Sequence, residues 1–405
     1  MKDQNKYDIL EIRDYYSSSN NPSSSIWVYN QVLSLSEMGF NPLVISPTPI
    51  IPFKRIFKNR FRLYDTPSIE IEAYKGTHVI RPPYFKIPRQ IFVGLTQRNL
   101  SNCIEKHGGY HTIKLIHAHF GQNGVAAIKL KKKLDVPLIT SFYGCDLGET
   151  KDIFKPYYAE LIKNGDLFLA LSNDMKNDLL TLGFPEEKIL IHHLGIDLEK
   201  FSIDKEVSED VFIFSTVCRL AKSKGVQFVI EAFRDFLKAS VNSQNNFQLR
   251  IIGGGSYENK LKNLVQRYNL QSKVHFINNL IMPNSREIVL NEMKMCNIFI
   301  LASYSSNNGS KEGTPVVLME AQACGKPCIS THHAGIPEVV KDKVSGFIVK
   351  EASVNEIEKY MHIFVNNPDI CSKFSISARK HMEKEFNHRQ QMGKLISSIN
   401  HLIMA

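Results

Sequence analysis

The chain has 405 residues, of which 43% are apolar and 22% charged, and its formal net charge is +10. This length and composition exclude a disordered or collagen-like protein and indicate two or three globular domains. The positive charge favours an anionic partner, which charge alone does not specify: nucleic acid, a membrane surface or a phosphorylated small molecule.

The seven cysteines are scattered singly, without a C-x-x-C pair, which indicates reduced thiols in a reducing compartment. The amino terminus, MKDQNKYDILEIRDYY, has no apolar signal-sequence core, and no stretch of about 18 apolar residues occurs in the chain. We therefore expect a cytoplasmic protein, either free or peripheral at the inner face of the plasma membrane.

Short runs rich in Val, Ile, Leu and Phe recur along the chain, each followed by a longer mixed segment. This alternation predicts parallel strands joined by helices. In the first half the predicted strands are 7–12, 42–46, 115–120, 137–142, 167–172 and 189–194. In the second half they are 211–217, 247–253, 274–277, 298–303, 328–331 and 346–349.

A polar segment, DLEKFSIDKEVSED at 197–210, separates the two sets of strands. We expect α/β architecture with two Rossmann-like domains, the first over residues 1–200 and the second over 211–383, joined by a linker over 201–210. Residues 384–405 would form a carboxy-terminal helix that packs back on the first domain. Doubly wound parallel sheets bind ligands beyond the carboxyl ends of their strands, so two facing sheets would form an interdomain cleft.

The segment SKEGTPVVLMEAQACGKP, residues 310–327, places Glu312 just before a predicted helix and Glu320 inside it. Thr314 is expected as the N-cap, Pro315 as the first helical residue and Gly325 as the residue that ends the helix. Carboxylates in these two places could accept hydrogen bonds from sugar hydroxyls. The spacing alone leaves open a structural interpretation, in which Glu312 favours the helix dipole and Glu320 lies on a solvated face.

Two further segments suit a phosphorylated ligand. In VCRLAKSKGVQFVIEAF, residues 217–233, Arg219 follows a predicted strand and Lys224 opens the next helix, an arrangement that suits a diphosphate unless both are simply solvated. The glycines of IIGGGSYENKL, residues 251–261, form a weak dinucleotide fingerprint that permits close approach of a ligand. The start of the helix after Pro315 would also offer outward N–H groups to a phosphate.

Residues 312–340, EGTPVVLMEAQACGKPCISTHHAGIPEVV, resemble the carboxy-terminal signature of the family 4 retaining glycosyltransferases, which have the GT-B fold. VCRLAKSKG resembles the diphosphate-binding segment of that family, and residues 171–201 resemble its segment ahead of the interdomain hinge. HAHFG at 117–121 and SFYGCDLGE at 141–149 are similar to the bacterial polysaccharide transferases of the colanic-acid type.

This resemblance implies a role for each matching residue. Arg219 and Lys224 would hold the donor diphosphate and neutralise the leaving group. Glu312 would contact the hydroxyls of the donor sugar, Glu320 would accept the ribose hydroxyls, and Asp146 would help to orient the acceptor. The other expected donor contacts are Gly313, Thr314, Pro315, Val316, Val317, Gly253, Gly254 and Gly255.

The chain departs from the family pattern in two places. The family's glycine-rich loop near the amino terminus corresponds to SSSNNPSSSIWVYNQV, residues 17–32, which has no glycine. Where the family has His-Gly-x-Asp, this chain has Tyr143 and Gly144 ahead of Asp146, and a tyrosine cannot act as the histidine would.

No D-x-D pair occurs in the sequence, so no ligands for a metal on the diphosphate are apparent, and we predict a metal-independent reaction without a cofactor. His117 and His119 would share one face of a strand, but no third ligand is evident, and no metal site is predicted. His332 and His333 are interpreted as structural or lining the cleft. Retention, implied by the family, would proceed on one face of the sugar, with the leaving phosphate helping to deprotonate the acceptor.

A basic segment, PIIPFKRIFKNRFRLYD at 49–65, interleaves cations with large apolar residues, and no acid occurs between Glu37 and Asp65. This pattern fits the surface of an anionic bilayer, with a solvated loop and RNA binding as alternatives. No nucleic-acid motif accompanies the charge, so nucleic acid is not an expected partner. The cations are Lys54, Arg55, Lys58, Arg60 and Arg62.

The sequence therefore predicts a transferase that moves a hexose-type sugar from a nucleotide sugar, a UDP-sugar in preference to a GDP-sugar, to a lipid-linked glycan of a surface polysaccharide. Two alternatives are a nucleotide-sugar epimerase of the same fold and a non-catalytic subunit that binds a nucleotide sugar. Product analysis without an acceptor distinguishes the epimerase from the transferase. Slow hydrolysis of the donor would exclude the non-catalytic subunit.

Overall fold

The computed structural model describes residues 7–18, 25–50, 72–74, 76–86, 93–144, 146–148, 151–203, 211–241, 246–279, 285–305 and 311–404. The chain divides into two compact units. The first consists of Met1–His192 with Met392–Ala405, and the second of His193–Gln391. Most of the expected linker, residues 204–210, lies outside the described residues.

The division lies at His192, ahead of the expected boundary at residue 200. The reason is that residues 193–203 carry two apolar side chains, Ile196 and Phe201, which are buried in the core of the second unit. The backbone of Ile196 also exchanges hydrogen bonds with Phe386 and His388. These contacts attach residues 193–203 to the second unit before the next strand begins.

The first unit is built around an eight-stranded sheet in the order β10-β9-β8-β7-β1-β2-β5-β4, parallel except where β4 pairs with β5. A separate two-stranded ribbon joins β3 and β6. The strands are β1 (Ile9–Ile12), β2 (Pro42–Ile45), β3 (Thr48–Ile50), β4 (Glu72–Tyr74), β5 (Thr77–Ile80), β6 (Pro83–Phe85), β7 (Leu115–His119), β8 (Leu138–Ser141), β9 (Leu167–Ala170) and β10 (Ile189–Ile191).

The helices of the first unit come from both ends of the chain. The helix at the carboxyl terminus packs Met392, Leu395 and Ile399 into the same core cluster as Ile9 and Leu115. The helices are α1 (Ile26–Glu37), α2 (Val93–Gly108), α3 (Gly121–Leu134), α4 (Lys151–Asn164), α5 (Asn173–Thr181) and, from Met392 onwards, α13 (His388–Met404).

The second unit has a six-stranded, wholly parallel sheet in the order β13-β12-β11-β14-β15-β16. The order reverses between β11 and β14, which makes the loops after these two strands the expected ligand site. The strands are β11 (Val211–Val217), β12 (Asn246–Ile252), β13 (Val274–Ile277), β14 (Ile298–Leu301), β15 (Cys328–Thr331) and β16 (Gly346–Val349). The helices are α6 (Val226–Ala239), α7 (Glu258–Arg267), α8 (Ser285–Met295), α9 (Val316–Ala323), α10 (Ile336–Val339), α11 (Val354–Asn366) and α12 (Pro368–Glu385).

Every strand predicted from an apolar run is confirmed, within a few residues at its ends. The predictions missed β3, β4, β5 and β6, which have only three or four residues each and lack a long apolar run. None of the helices in the described ranges combines the length and the apolar character needed to cross a membrane.

Candidate functional site

The loop after β11 brings Lys224 against the loop after β14. Gly225, at the start of α6, has φ +67°, and a Cβ there would lie 1.8 Å from the carbonyl oxygen of Ala302. Only glycine permits this combination of a left-handed backbone and close contact. The tight approach places the preceding Lys224 at the point where the strand order of the sheet reverses.

Lys224 forms a salt bridge with Glu312, although 88 positions separate them in sequence. The Oε1 atom of Glu312 also accepts a 2.8 Å hydrogen bond from the Ser303 hydroxyl. Burial raises the pKa of Glu312, but Lys224 and Ser303 outweigh this effect and lower it below its usual value. Glu312 is therefore ionised at neutral pH and held beside a cation, whereas the sequence motifs had placed the two residues in separate segments.

Arg219 is exposed and makes no ion pair within the described part of the chain, so its guanidinium is available to an anionic ligand. The glycine loop after β12 packs against the residues on either side of Arg219. A Cβ on Gly253 would lie 1.9 Å from the Cys218 carbonyl oxygen, and one on Gly255 would lie 2.4 Å from the Leu220 carbonyl oxygen. A side chain at either position would clash with this backbone, so the two glycines allow close packing against the loop that carries Arg219.

The start of α9 corrects two expectations. The N-cap is Pro315, with extended ψ of 114°, and not Thr314, whose hydroxyl caps nothing. The first helical residue is therefore Val316 and not Pro315. Thr314 is buried, and its oxygen has no hydrogen-bond partner in the described residues. Gly325 ends the helix with φ +68°, as predicted. A buried free hydroxyl beside the first N–H groups of a helix, here those of Val316 and Val317, suits an anionic or hydroxylated ligand.

Glu320 lies inside α9 and is only 2% exposed, so the interpretation of a solvated face is wrong. Its Oε1 atom accepts no hydrogen bond from any described residue, and the nearest cation is Arg286 at 3.6 Å. Burial raises the pKa of Glu320 to about 7, against the lowering effects of Arg286 and Lys200. A buried carboxylate oxygen without a donor is costly unless a ligand supplies one.

In the first unit, Asp146 anchors backbone at the carboxyl ends of the central strands. Its carboxylate accepts hydrogen bonds from the backbone N–H groups of Gly121, Tyr143 and Gly144 at 3.0, 3.1 and 3.0 Å. Burial raises the pKa of Asp146, and these donors only partly offset it. Asp146 therefore shapes the loop that carries Tyr143, and its predicted role toward an acceptor stays a prediction.

Sequence reasoning missed a buried cluster beneath that loop. Glu11 on β1 accepts from His119 Nε2 at 2.7 Å and lies 3.3 Å from His117 Nδ1. The Ser141 hydroxyl reaches His117 Nε2 at 2.8 Å, and the Tyr143 hydroxyl reaches His119 Nδ1 at 2.6 Å. The pKa of Glu11 falls to about 2, because the two imidazoles outweigh the raising effect of its burial.

The cluster supplies the third ligand that the sequence did not reveal, since Glu11 and the two histidines have the atoms and spacing to hold a metal ion. The same atoms already serve one another as hydrogen-bond donors and acceptors. A purely structural role, as a hydrogen-bonded core, therefore also accounts for the cluster. Glu11 lies in the predicted strand 7–12 and the two histidines in the predicted strand 115–120, but only the pairing of β1 with β7 sets Glu11 opposite His117.

Two family models together match residues 25–381. The model described as Glycosyltransferase Family 4 matches residues 25–200, and the model described as Glycosyl transferases group 1 matches residues 198–381. The putative colanic acid biosynthesis glycosyltransferase WcaL of Salmonella typhimurium strain LT2 is 31% identical over 295 residues, which are 70% of this chain and 70% of the relative. This chain belongs to the family 4 glycosyltransferases.

Other relatives of this family 4 glycosyltransferase match over a similar share of the chain. WcaL of Escherichia coli K12 is 33% identical over 67% of this chain and 66% of its own length, so the match spans about two-thirds of that relative. The Escherichia coli enzyme named UDP-Gal:alpha-D-GlcNAc-diphosphoundecaprenol alpha-1,3-galactosyltransferase is 24% identical over 69% of this chain and 73% of its own length.

Solved structures confirm the GT-B fold predicted from the motifs. Sucrose-phosphate synthase from Thermosynechococcus elongatus superposes with a TM-score of 0.77 at 16% identity, covering 98% of this chain and 99% of its own. HepE from Anabaena, solved in complex with UDP-glucose, gives 0.71 at 15% identity, with 96% and 99% covered. At such identities the likeness shows the fold of this family 4 glycosyltransferase and not its substrate.

Proposed function

We propose that this glycosyltransferase moves a hexose from a UDP-sugar to a lipid-linked glycan during surface polysaccharide synthesis. The observation that carries the proposal is the set of groups around the switch point of the second sheet. An exposed guanidinium, a lysine-glutamate pair and a buried carboxylate whose Oε1 atom accepts no hydrogen bond from the described residues lie on the loops and helix that follow β11 and β14. The printed name of one sequence relative, a UDP-Gal transferase that acts on a diphosphoundecaprenol-linked sugar, supports the choice of donor and acceptor.

In this proposal Arg219 and Lys224 bind the diphosphate and stabilise the charge that develops as it leaves. Glu312 accepts hydrogen bonds from sugar hydroxyls, and Glu320 accepts them from the ribose. The bond from the anomeric carbon to the phosphate oxygen breaks, and a bond to the acceptor oxygen forms on the same face. The acceptor proton passes to the leaving phosphate, which keeps the configuration and needs no protein nucleophile.

The test is to incubate the protein with a panel of UDP- and GDP-hexoses and a diphospholipid-linked sugar, and to determine the anomeric configuration of the product by NMR. We expect transfer from a UDP-hexose with retention, at an unchanged rate in EDTA, because the cations at the diphosphate are side chains. An inverted product, or activity that EDTA abolishes and magnesium restores, would contradict the mechanism. A changed sugar without an acceptor would identify an epimerase instead.

We also propose that the basic segment at 49–65 holds the protein on anionic membranes, where the acceptor lipid resides. Lys54, Arg55, Lys58, Arg60 and Arg62 lie outside the described residues, so the proposal rests on their charge and their apolar neighbours. Each cation near such a surface contributes about 1 kcal/mol. We expect sedimentation with liposomes that contain anionic lipid at low salt, release at high salt, and loss when the five cations are replaced by Ser. Equal binding to neutral liposomes would disprove it.

A further inference from the structure

A histidine and a glutamate in the second unit connect the loops that follow three adjacent strands. Ser305 follows β14, His333 follows β15 and Glu351 follows β16. His333 Nδ1 lies 2.7 Å from Glu351 Oε1. The same carboxylate accepts hydrogen bonds from Ser305, 2.9 Å from its backbone N–H and 3.1 Å from its hydroxyl. The loop after β14 is thus tied at its start to the His333–Glu351 pair.

The other ring nitrogen of His333 ties the far end of the same loop. The backbone N–H of Glu312 donates to His333 Nε2 over 3.3 Å. Because Nε2 accepts, the ring proton is on Nδ1, where it is donated to Glu351. The His333 side chain is only 3% exposed, so little water can replace either partner. The two neighbours therefore set both the tautomer and the orientation of the ring.

Glu312 is thus restrained at both its carboxylate and its backbone. Lys224 and Ser303 fix the carboxylate, while His333 fixes the backbone N–H. A carboxylate that is already in place loses less freedom when it accepts hydrogen bonds from a ligand. The lysine contact by itself would leave the backbone of Glu312 without this restraint.

We propose that His333 and Glu351 are positioning residues for Glu312, and that they set its carboxylate for the hydroxyls of the donor sugar. The inference rests on the proposed function, because it takes Glu312 to be the sugar contact. The His333–Glu351 pair acts on the sugar part of the donor through Glu312, and not on the nucleotide part. Loss of the pair should therefore weaken the use of a UDP-sugar and leave the affinity for UDP unchanged.

The variants His333→Phe, His333→Gln and Glu351→Ala test the inference. Phe has no acceptor for the Glu312 N–H, whereas the amide oxygen of Gln can stand where Nε2 stood. We expect H333F and E351A to lower kcat/KM for the UDP-sugar about tenfold, the effect of one lost buried hydrogen bond, and H333Q to restore most of it. UDP affinity, measured by calorimetry, should stay within about twofold of wild type in all three, which also shows that the unit is folded.

Glu356→Gln is the matched control, since Glu356 accepts a 2.7 Å hydrogen bond from the Lys350 N–H and, within the described residues, makes no hydrogen bond or ion pair with His333. In a Glu312→Ala background, H333F should have no further effect, because the histidine acts through Glu312. An equal loss in that background, parallel loss of UDP affinity, or unchanged kcat/KM in H333F would overturn the inference. Normal transfer by E312A itself would overturn the proposed role of Glu312 and the inference with it. If E312A loses transfer while H333F and E351A keep the wild-type kcat/KM, only the inference is overturned.

Discussion

Replacing Lys224 or Glu312 by Ala should lower the rate of sugar transfer at saturating donor by about 100- to 1000-fold. The two side chains form a salt bridge at the switch point of the second sheet, with 21% and 15% of their areas exposed. Lys224 is expected to stabilise charge on the departing diphosphate, an interaction that strengthens in the transition state. Glu312 is proposed to hold the sugar in the orientation in which its anomeric carbon can react.

Each single substitution also leaves its former partner unpaired, so folding must be checked by the melting temperature and by UDP binding. Lys262→Ala is the matched control, because Lys262 forms a 2.7 Å salt bridge with Glu258 in the same unit but on the surface helix α7. This control should transfer sugar at the wild-type rate. Near-normal turnover in K224A or E312A would remove that residue from the mechanism, whatever its effect on stability.

Binding of UDP-glucose should weaken by up to about 100-fold as the pH falls from 8 to 5. The reason is the buried carboxyl of Glu320, whose pKa is raised to about 7 from the usual 4.5 in the unliganded protein. Below pH 7 most molecules carry it protonated, and only the ionised form can accept hydrogen bonds with both oxygens. If the ribose hydroxyls donate to this carboxylate, binding releases a proton, and the affinity rises with pH through 7 and then levels.

UDP-glucose is the appropriate probe because its diphosphate is esterified at both ends. The terminal phosphate of UDP itself loses a proton near pH 6, as phosphate monoesters do, and would mask the effect. Calorimetry in buffers of different ionisation enthalpy gives both the affinity and the number of protons released. Glu320→Gln should bind weakly with no slope between pH 5 and 8, whereas Glu287→Gln, an exposed acid beside Arg286, should keep the wild-type slope. A flat wild-type profile would show that Glu320 does not titrate on binding.

Much of this protein could be predicted from its sequence. Apolar runs located the strands of both sheets, because buried parallel strands need continuous apolar residues. Local motifs, from 217–225 to 312–340, identified the family and the GT-B fold, since each motif encodes a turn or a helix start that depends on a few neighbouring residues. The short strands β3 to β6 escaped because their pairing partners, and not their own composition, make them strands.

Contacts between residues distant in sequence were decided only by the tertiary structure. The pairing of Lys224 with Glu312 depends on β11 and β14 lying side by side, which no periodicity in either strand specifies. Strand order likewise decides the contact of Glu11 with the two histidines of β7 and the contacts of His333 with Glu312 and Glu351. The burial that raises the pKa of Glu320 is likewise a property of the packing around α9. Sequence thus determined the types of chemical group and the strand-helix order, whereas the order of strands in each sheet decided which groups meet.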